Sequence, residues 1–128
     1  MRDDAAASDE IRLVLPAEAR YGRLARITVS NLARRLGFPA RAVEDLRLAV
    51  DESIILLLRP EGRPGTITLV FRVGHTGIAV DATTTAGEDQ YWVDQGALAR
   101  FEAIVGETVD SYAVDEQGRH IHLVKHFT

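Results

Sequence analysis

Residues 43 to 58 read VEDLRLAVDESIILLL, and the expected fold is arranged around this stretch. Its apolar side chains recur every three or four residues, which is the period of an α-helix. The main stripe consists of Val43, Leu46, Val50, Ile54 and Leu57. The stripe is widened by Leu48, Ala49, Ile55, Leu56 and Leu58. A helix with so little polar surface is expected to lie at the centre of a domain and to pack on several sides.

The residues before this helix predict a strand and another helix. Ile11, Leu13 and Leu15 alternate along a short strand that ends at Pro16. Residues 17–36 have apolar positions at helical spacing, and Gly37 is well placed to end that helix. The predicted inward positions are Tyr21, Leu24, Ala25, Thr28, Leu32 and Leu36.

The second half of the chain predicts four strands and one helix. Strands are expected over 66–73, 77–82, 108–114 and 119–127, with a helix over 96–105. The order β-α-α-β-β-α-β-β indicates an α+β fold, a two-layer sandwich in which helices cover one face of a mixed or antiparallel sheet. We expect residues 1–10 to be a flexible N-terminus and residues 11–128 to form a single domain.

The composition excludes several classes of protein. The 128 residues include no cysteine, which removes disulfides, thiolate metal sites and cysteine nucleophiles. The longest apolar run, residues 54–58, is far too short to span a bilayer. With no secretory signal at the start of the sequence, a cytoplasmic location is expected. A net charge of −4 argues against direct binding of nucleic acid.

The basic residues are nevertheless concentrated in one segment. Between residues 19 and 43 there are six arginines and no acidic residue. They are Arg20, Arg23, Arg26, Arg34, Arg35 and Arg41. Two interpretations are open: the solvated face of a helix, or a docking surface for an acidic protein partner.

Three groups of polar residues are candidates for a functional site. His120, His122 and His126 lie on one face of the last predicted strand. This spacing could supply two metal ligands, but the solvent-exposed face of a terminal strand explains it more simply. No metal site is therefore predicted. The acidic residues between 81 and 94 match no calcium-loop spacing. Glu52 lies on the margin of the apolar helix, where a carboxylate needs an ion-pair partner or a solvated cleft.

Residues 45–52, together with 36–38 and 24–29, resemble the anti-sigma regulatory factor branch of the histidine-kinase-like ATPases. The resemblance runs over nearly the whole chain and includes the order of its elements. It implies a bacterial partner-switch protein that binds a sigma factor and an anti-anti-sigma antagonist, with a homodimer formed through the sheet side. Many members also phosphorylate the antagonist on serine with Mg-ATP.

The chain departs from this family at three nucleotide-binding positions. The family motif Glu-x-x-x-Asn holds magnesium through its asparagine, and the matching residue here is Leu56. The family's Asp-x-Gly pair, which receives adenine, falls on Ala82 and Thr84, while Asp81 should point to the opposite face of the strand. The glycine-rich lid is reduced to residues 96–98.

The partner-binding positions match the family better. The resemblance assigns contact with the sigma factor or its antagonist to Arg26, and helical projection places four further residues on the same face. These four are Arg23, Ile27, Ser30 and Arg34.

Three functions therefore remain. The first is an anti-sigma-like binding module that needs no cofactor and does no catalysis. The second is an active serine kinase that uses Mg-ATP, with Glu52 as its base. The third is a sensor that binds another small ligand in a pocket lined by Leu48, Ile55 and Leu56.

Overall fold

The computed structural model describes residues 9–90 and 92–127. Five strands form one sheet, and three α-helices pack on one of its faces. The strands are β1 (Asp9–Pro16), β2 (Thr66–Val73), β3 (Gly77–Thr84), β4 (Ser111–Val114) and β5 (His120–His126). The helices are α1 (Gly22–Arg35), α2 (Ala40–Leu57) and α3 (Gln95–Val105).

The sheet has the strand order β1-β2-β3-β5-β4. Every neighbouring pair is antiparallel. Strands β3 and β5 are neighbours because the chain leaves the sheet after β3, forms α3, and returns along the edge as β4. The predicted α+β sandwich and the predicted order of elements are confirmed, and the sheet is antiparallel throughout.

The core lies between the sheet and α2. The predicted main stripe of α2 is buried along its whole length, and it packs with the inward side chains of β2, β3 and β5. Leu48 and Ile55 are the exceptions to the widened stripe, since they are 36% and 41% exposed. The outer surface of α2 faces solvent between α1 and α3, so the expectation of near-complete burial was wrong for these two residues.

Helix α1 begins later than predicted, and its buried face overlaps the predicted one only in part: Ala25 is buried, and Tyr21, Leu32 and Leu36 pack against the core. A single 3₁₀ turn over Ala19–Tyr21 precedes it, because the Ala17 amide donates to the Gly65 carbonyl at 2.9 Å and holds the chain extended. Leu24, predicted to face inward, is 47% exposed. The buried positions of α1 are Gly22, Ala25, Val29, Ser30 and Ala33. These small side chains allow α1 to lie close against α2, whereas a leucine stripe would hold the two helices further apart.

The other boundaries shift by a few residues. Helix α3 begins at Gln95, β3 continues to Thr84, and β4 begins at Ser111 rather than at residue 108. The predicted flexible segment 1–10 falls mostly on residues 1–8, which lie outside the described residues, while Asp9 and Glu10 begin β1. Within the described part of the chain, every helix is too short or too polar to cross a membrane.

Candidate functional site

A basic groove runs between α1 and the start of α2. Its volume is about 490 Å³. It is lined by Arg23, Arg26, Ile27, Ser30, Asn31, Arg34 and Arg47. The structure thus brings together all five residues that the sequence assigned to a partner surface. The sequence placed them on the outer face of α1, but Ser30 is only 5% exposed, because this flank of α1 faces α2. We call this feature the arginine groove.

Arg26 crosses from α1 to α2. Its Nη1 atom donates to Asp51 Oδ1 at 2.7 Å, and both side chains are about one-third exposed. A Cβ atom on Gly22 would lie 3.3 Å from Arg26 Nη1. The glycine therefore leaves room for the guanidinium to lie over the first turn of α1. Arg26 is a structural link between the two helices as well as part of the groove lining.

The remaining arginines of the groove differ in their partners. Arg47 donates to Glu44 one turn earlier on α2, at 2.8 Å. Arg23 and Arg34 pair with no carboxylate among residues 9–90 and 92–127. Among the described residues, four guanidinium groups thus meet two carboxylates, so two positive charges in the groove have no carboxylate partner there. The side chain of Ile27 stands among them and is 47% exposed. Such a surface suits an acidic ligand that also carries an apolar group.

Glu52 lies at a second place, between α2 and α3. It is 5% exposed, and its two carboxylate oxygens accept from Arg100 at 2.5 and 3.3 Å. The structure therefore contains an ion pair at Glu52, which is one of the two environments that the sequence suggested for this carboxylate. The guanidinium of Arg100 contacts both carboxylate oxygens of Glu52. A general base would have to accept the substrate proton on one of these two oxygens.

The space beside Glu52 is small. A cavity of about 50 Å³ lies between Glu52, Ile55, Leu56 and the facing residues of α3, which is room for one or two water molecules. A shallow groove of about 310 Å³ lies on the other side of Leu56, next to Trp92. Pockets for small-molecule ligands enclose about 300–1,000 Å³, so the cavity beside Glu52 is below this range and the groove next to Trp92 is at its lower limit. Leu48, the third residue predicted to line a pocket here, lies on the solvent-exposed side of α2.

The positions that resemble the magnesium and adenine sites offer little to a nucleotide. Leu56 is 3% exposed and has no oxygen atom, whereas magnesium is bound almost entirely through oxygen. Ala82 is buried in the core, and the Thr84 hydroxyl donates to the Thr66 carbonyl at 3.0 Å. These side chains do not fit a magnesium-bound nucleotide.

Asp81 points to the open face of the sheet, as its register predicted. Its Oδ1 atom lies 2.9 Å from His120 Nε2 and 2.8 Å from His122 Nδ1, and its Oδ2 atom accepts from Arg72 at 2.6 Å. Partial burial is the largest single influence and raises the pKa of Asp81. The hydrogen bonds from the two histidines and the arginine together outweigh burial and hold this pKa below its ordinary value.

The two histidines on the solvent side of β5 are therefore hydrogen-bond partners of this carboxylate. His126, the third histidine on this side, is exposed. Within the described residues, no three side chains of metal-ligating type are arranged to hold a metal ion.

The short lid sequence is not a loop. Residues 96–98 form the first turn of α3, which Asp94 caps by accepting from the Ala97 amide at 2.9 Å. This hydrogen bond and the pairing with Arg59 lower the pKa of Asp94. Arg63 pairs with Asp89, so the acidic segment before α3 forms ion pairs with the loop after α2.

Three residues of the arginine groove and of the surroundings of Glu52 were not identified from the sequence. Arg47 and Asp51 are one turn apart on α2, on the flank that faces α1, and a helical projection of α2 against α1 would have found them. Arg100 carries no local signal, because its pairing with Glu52 joins residues 48 positions apart.

Part of the chain is similar to proteins named serine-protein kinase RsbW. The identity is 48% over 46 residues to the protein of Listeria monocytogenes serotype 4a (strain HCC23), and 44% over 46 residues to that of Oceanobacillus iheyensis. It is 31% over 65 residues to that of Bacillus cereus (strain B4264). The matched stretch covers 36% to 49% of this chain and only 29% to 41% of these relatives. A scan against models of known protein families finds no match.

Proposed function

We propose that this chain is a partner-binding regulator of the anti-sigma type, which docks a sigma factor or an anti-anti-sigma antagonist in the arginine groove and does not transfer phosphate. The observation that carries the proposal is the contrast between the two places. The groove has two unbalanced guanidiniums around an exposed isoleucine. The carboxylate that a kinase would need is paired with Arg100, and the cavity beside it has a volume of only about 50 Å³.

The groove has the chemistry of a protein-binding surface. An apolar centre surrounded by arginines is a common arrangement at protein interfaces, since a guanidinium can bind a carboxylate through two hydrogen bonds. The similarity to RsbW proteins and the family resemblance of the segment around Arg26 both favour a regulatory partner of this kind. Cofactor-free action and a homodimer through the sheet side belong to the same proposal as expectations.

Replacement of Arg34 tests the groove without disturbing the helix pair. Arg34→Glu reverses a groove charge that has no carboxylate partner among residues 9–90 and 92–127, so we expect capture of the partner from an extract of the native host to fall at least about tenfold, the size of effect seen at central interface residues. Tagged protein is incubated with the extract, and captured proteins are quantified by mass spectrometry.

Arg35→Glu is the matched control for this experiment. Arg35 is the next residue on α1, is also exposed, and carries the same charge, but it does not line the groove. Its capture should equal that of the wild type. Equal capture by both variants, or equal loss in both, would remove the groove as the docking site.

The names of the relatives support one other function, a serine kinase that uses Mg-ATP. Glu52 is present at the position of the family's base, and a kinase would require α3 to move so that Arg100 releases it.

Thermal melting with Mg-ATP separates the two functions. A ligand at about 100 times its dissociation constant adds about 2.7 kcal/mol to the free energy of unfolding, which is a shift of several degrees for a chain of this size. We expect no shift of the melting temperature at millimolar Mg-ATP. A clear increase, accompanied by transfer of labelled phosphate to a co-purified protein, would establish the kinase instead.

A further inference from the structure

We infer that Asp51 is an internal competitor for the arginine groove: it holds Arg26 in the free protein, and an acidic segment of the partner takes its place. The inference rests on the proposed function only in assigning docking to this groove. It adds the chemistry of the ligand and predicts that the internal carboxylate lowers the affinity of the groove for it.

The geometry makes Arg26 the group in the groove that can exchange partners. Its Nη1 atom is 2.7 Å from Asp51 Oδ1, and the pair is partly exposed, with 31% and 29% of the side chains accessible. An ion pair at such a position is stabilised only modestly, because water screens it. A second carboxylate entering the groove therefore competes with Asp51 on similar terms.

The guanidinium of Arg26 has room on the side of Gly22. An added Cβ atom on this glycine would be 3.3 Å from Arg26 Nη1, and the Ile54 side chain lies next to the same place. A change of carboxylate partner at Arg26 therefore requires no movement of α1.

The charge balance identifies the ligand as an acidic peptide. Arg26 and Arg47 have internal partners, while Arg23 and Arg34 have none among residues 9–90 and 92–127. Arg23 and Arg34 are eleven residues apart on one helix, a distance of about 16 Å at 1.5 Å per residue. A segment of about three helical turns with acidic side chains on one face spans this distance, and its apolar side chains meet Ile27.

The test measures the affinity of one labelled peptide for three forms of the protein. The peptide has about twelve residues, with glutamates on one helical face and leucines beside them. Its binding is followed by fluorescence anisotropy at low salt, where exposed charges interact most strongly. We expect Asp51→Asn to bind about threefold more tightly than the wild type, the change that release of a partly exposed ion pair allows.

Asp45→Asn is the matched control. Asp45 lies on the same helix and loses the same charge, but its partner is Lys125, at 3.7 Å, outside the groove. Its affinity should stay close to that of the wild type, so the contact with Arg26 is separated from the general effect of charge. Asp51→Ser, whose side chain is too short to reach Arg26, serves as a second variant if the asparagine form melts early.

Each outcome decides the inference. Tighter binding in the Asp51 variants alone supports it. Equal effects of the Asp51 and Asp45 changes, or no binding of the peptide to any form, overturn it. Capture of a sigma factor from host extract that depends on Arg34 but not on Asp51 keeps the proposed function and removes the inference. A peptide effect without any sigma factor or anti-anti-sigma antagonist among the captured proteins does the reverse.

Discussion

Arg26 links two helices and lines the groove, so its substitution affects stability and binding together. Replacement by glutamate would place a second carboxylate beside Asp51, at the position where Nη1 now donates at 2.7 Å. Like charges at this distance repel, and the closely packed start of α1 would be disturbed. A loss of binding in such a variant is therefore ambiguous. Arg34, without an internal partner in the described part of the chain, gives a clearer result.

Asp81 makes the stability of the sheet dependent on pH. The pKa of this carboxyl group is lowered in the folded protein by its hydrogen bonds to His120, His122 and Arg72, which outweigh the effect of burial. A lowered pKa contributes stability above the unfolded value of about 3.9, and this contribution is lost as the pH falls through the folded value. Urea unfolding at several pH values should therefore show Asp81→Asn to be less stable than the wild type at pH 7 and at pH 5.

The difference between the two proteins should shrink only below about pH 4, where the unfolded state begins to bind a proton that the folded carboxyl group does not yet accept. A difference that disappears already at pH 5 would contradict the hydrogen-bond network described for β2, β3 and β5.

Helix α3 is attached to α2 by one ion pair and one apolar contact surface. Glu52 is buried and Arg100 is about half exposed, while Phe101 and Val105 of α3 are fully buried nearby. Removal of Arg100 leaves a buried carboxylate without its cation, which costs several kcal/mol in fully buried pairs and less here because water reaches the arginine. We expect Arg100→Ala to lower the free energy of unfolding by about 1–3 kcal/mol.

A double-mutant cycle checks this assignment. Glu52→Gln together with Arg100→Ala should be more stable than the sum of the single changes predicts, because no buried carboxylate is then left without its cation. Additive effects would mean that Arg100 acts only through packing. The same variants, measured with Mg-ATP, show whether release of Glu52 is enough to restore nucleotide binding.

The helices show where prediction from sequence works and where it fails. The apolar period of α2 is strong over many residues and identified its buried stripe, including Leu46 and Val50, which are fully buried. On α1 the same rule favoured Leu24, which is exposed, over the small residues that pack against α2. The spacing of apolar residues selects positions by their hydrophobicity, whereas close packing of two helices selects small side chains. On this helix the two properties belong to different residues.

The order of the strands in the sheet could not be predicted from the sequence alone. Alternation predicted each strand and placed Asp81 on the face opposite Ala82, because that depends only on the period of two. The adjacency of β3 and β5, and the pairing of Glu52 with Arg100, depend on how α3 folds back over α2. Contacts between residues so far apart in the chain leave no local pattern.

Together, the sheet and its helix layer present two different surfaces to a partner. The helix side carries the arginine groove, with two unbalanced positive charges, and the open side of the sheet carries the carboxylate network of Asp81. The positions that resemble a nucleotide pocket lie beside α3, where Glu52 pairs with Arg100 and Asp94 pairs with Arg59. We therefore propose that regulation acts through binding at the groove, independent of nucleotide.

Capture from an extract of the native host, with and without prior removal of nucleotide by apyrase, examines this assignment. The wild-type protein should retain the same regulatory partner in equal amounts under both conditions, and Arg34→Glu should lose it under both while Arg35→Glu does not. Capture that requires added Mg-ATP, or that is unchanged in Arg34→Glu, would contradict nucleotide-independent binding through the arginine groove.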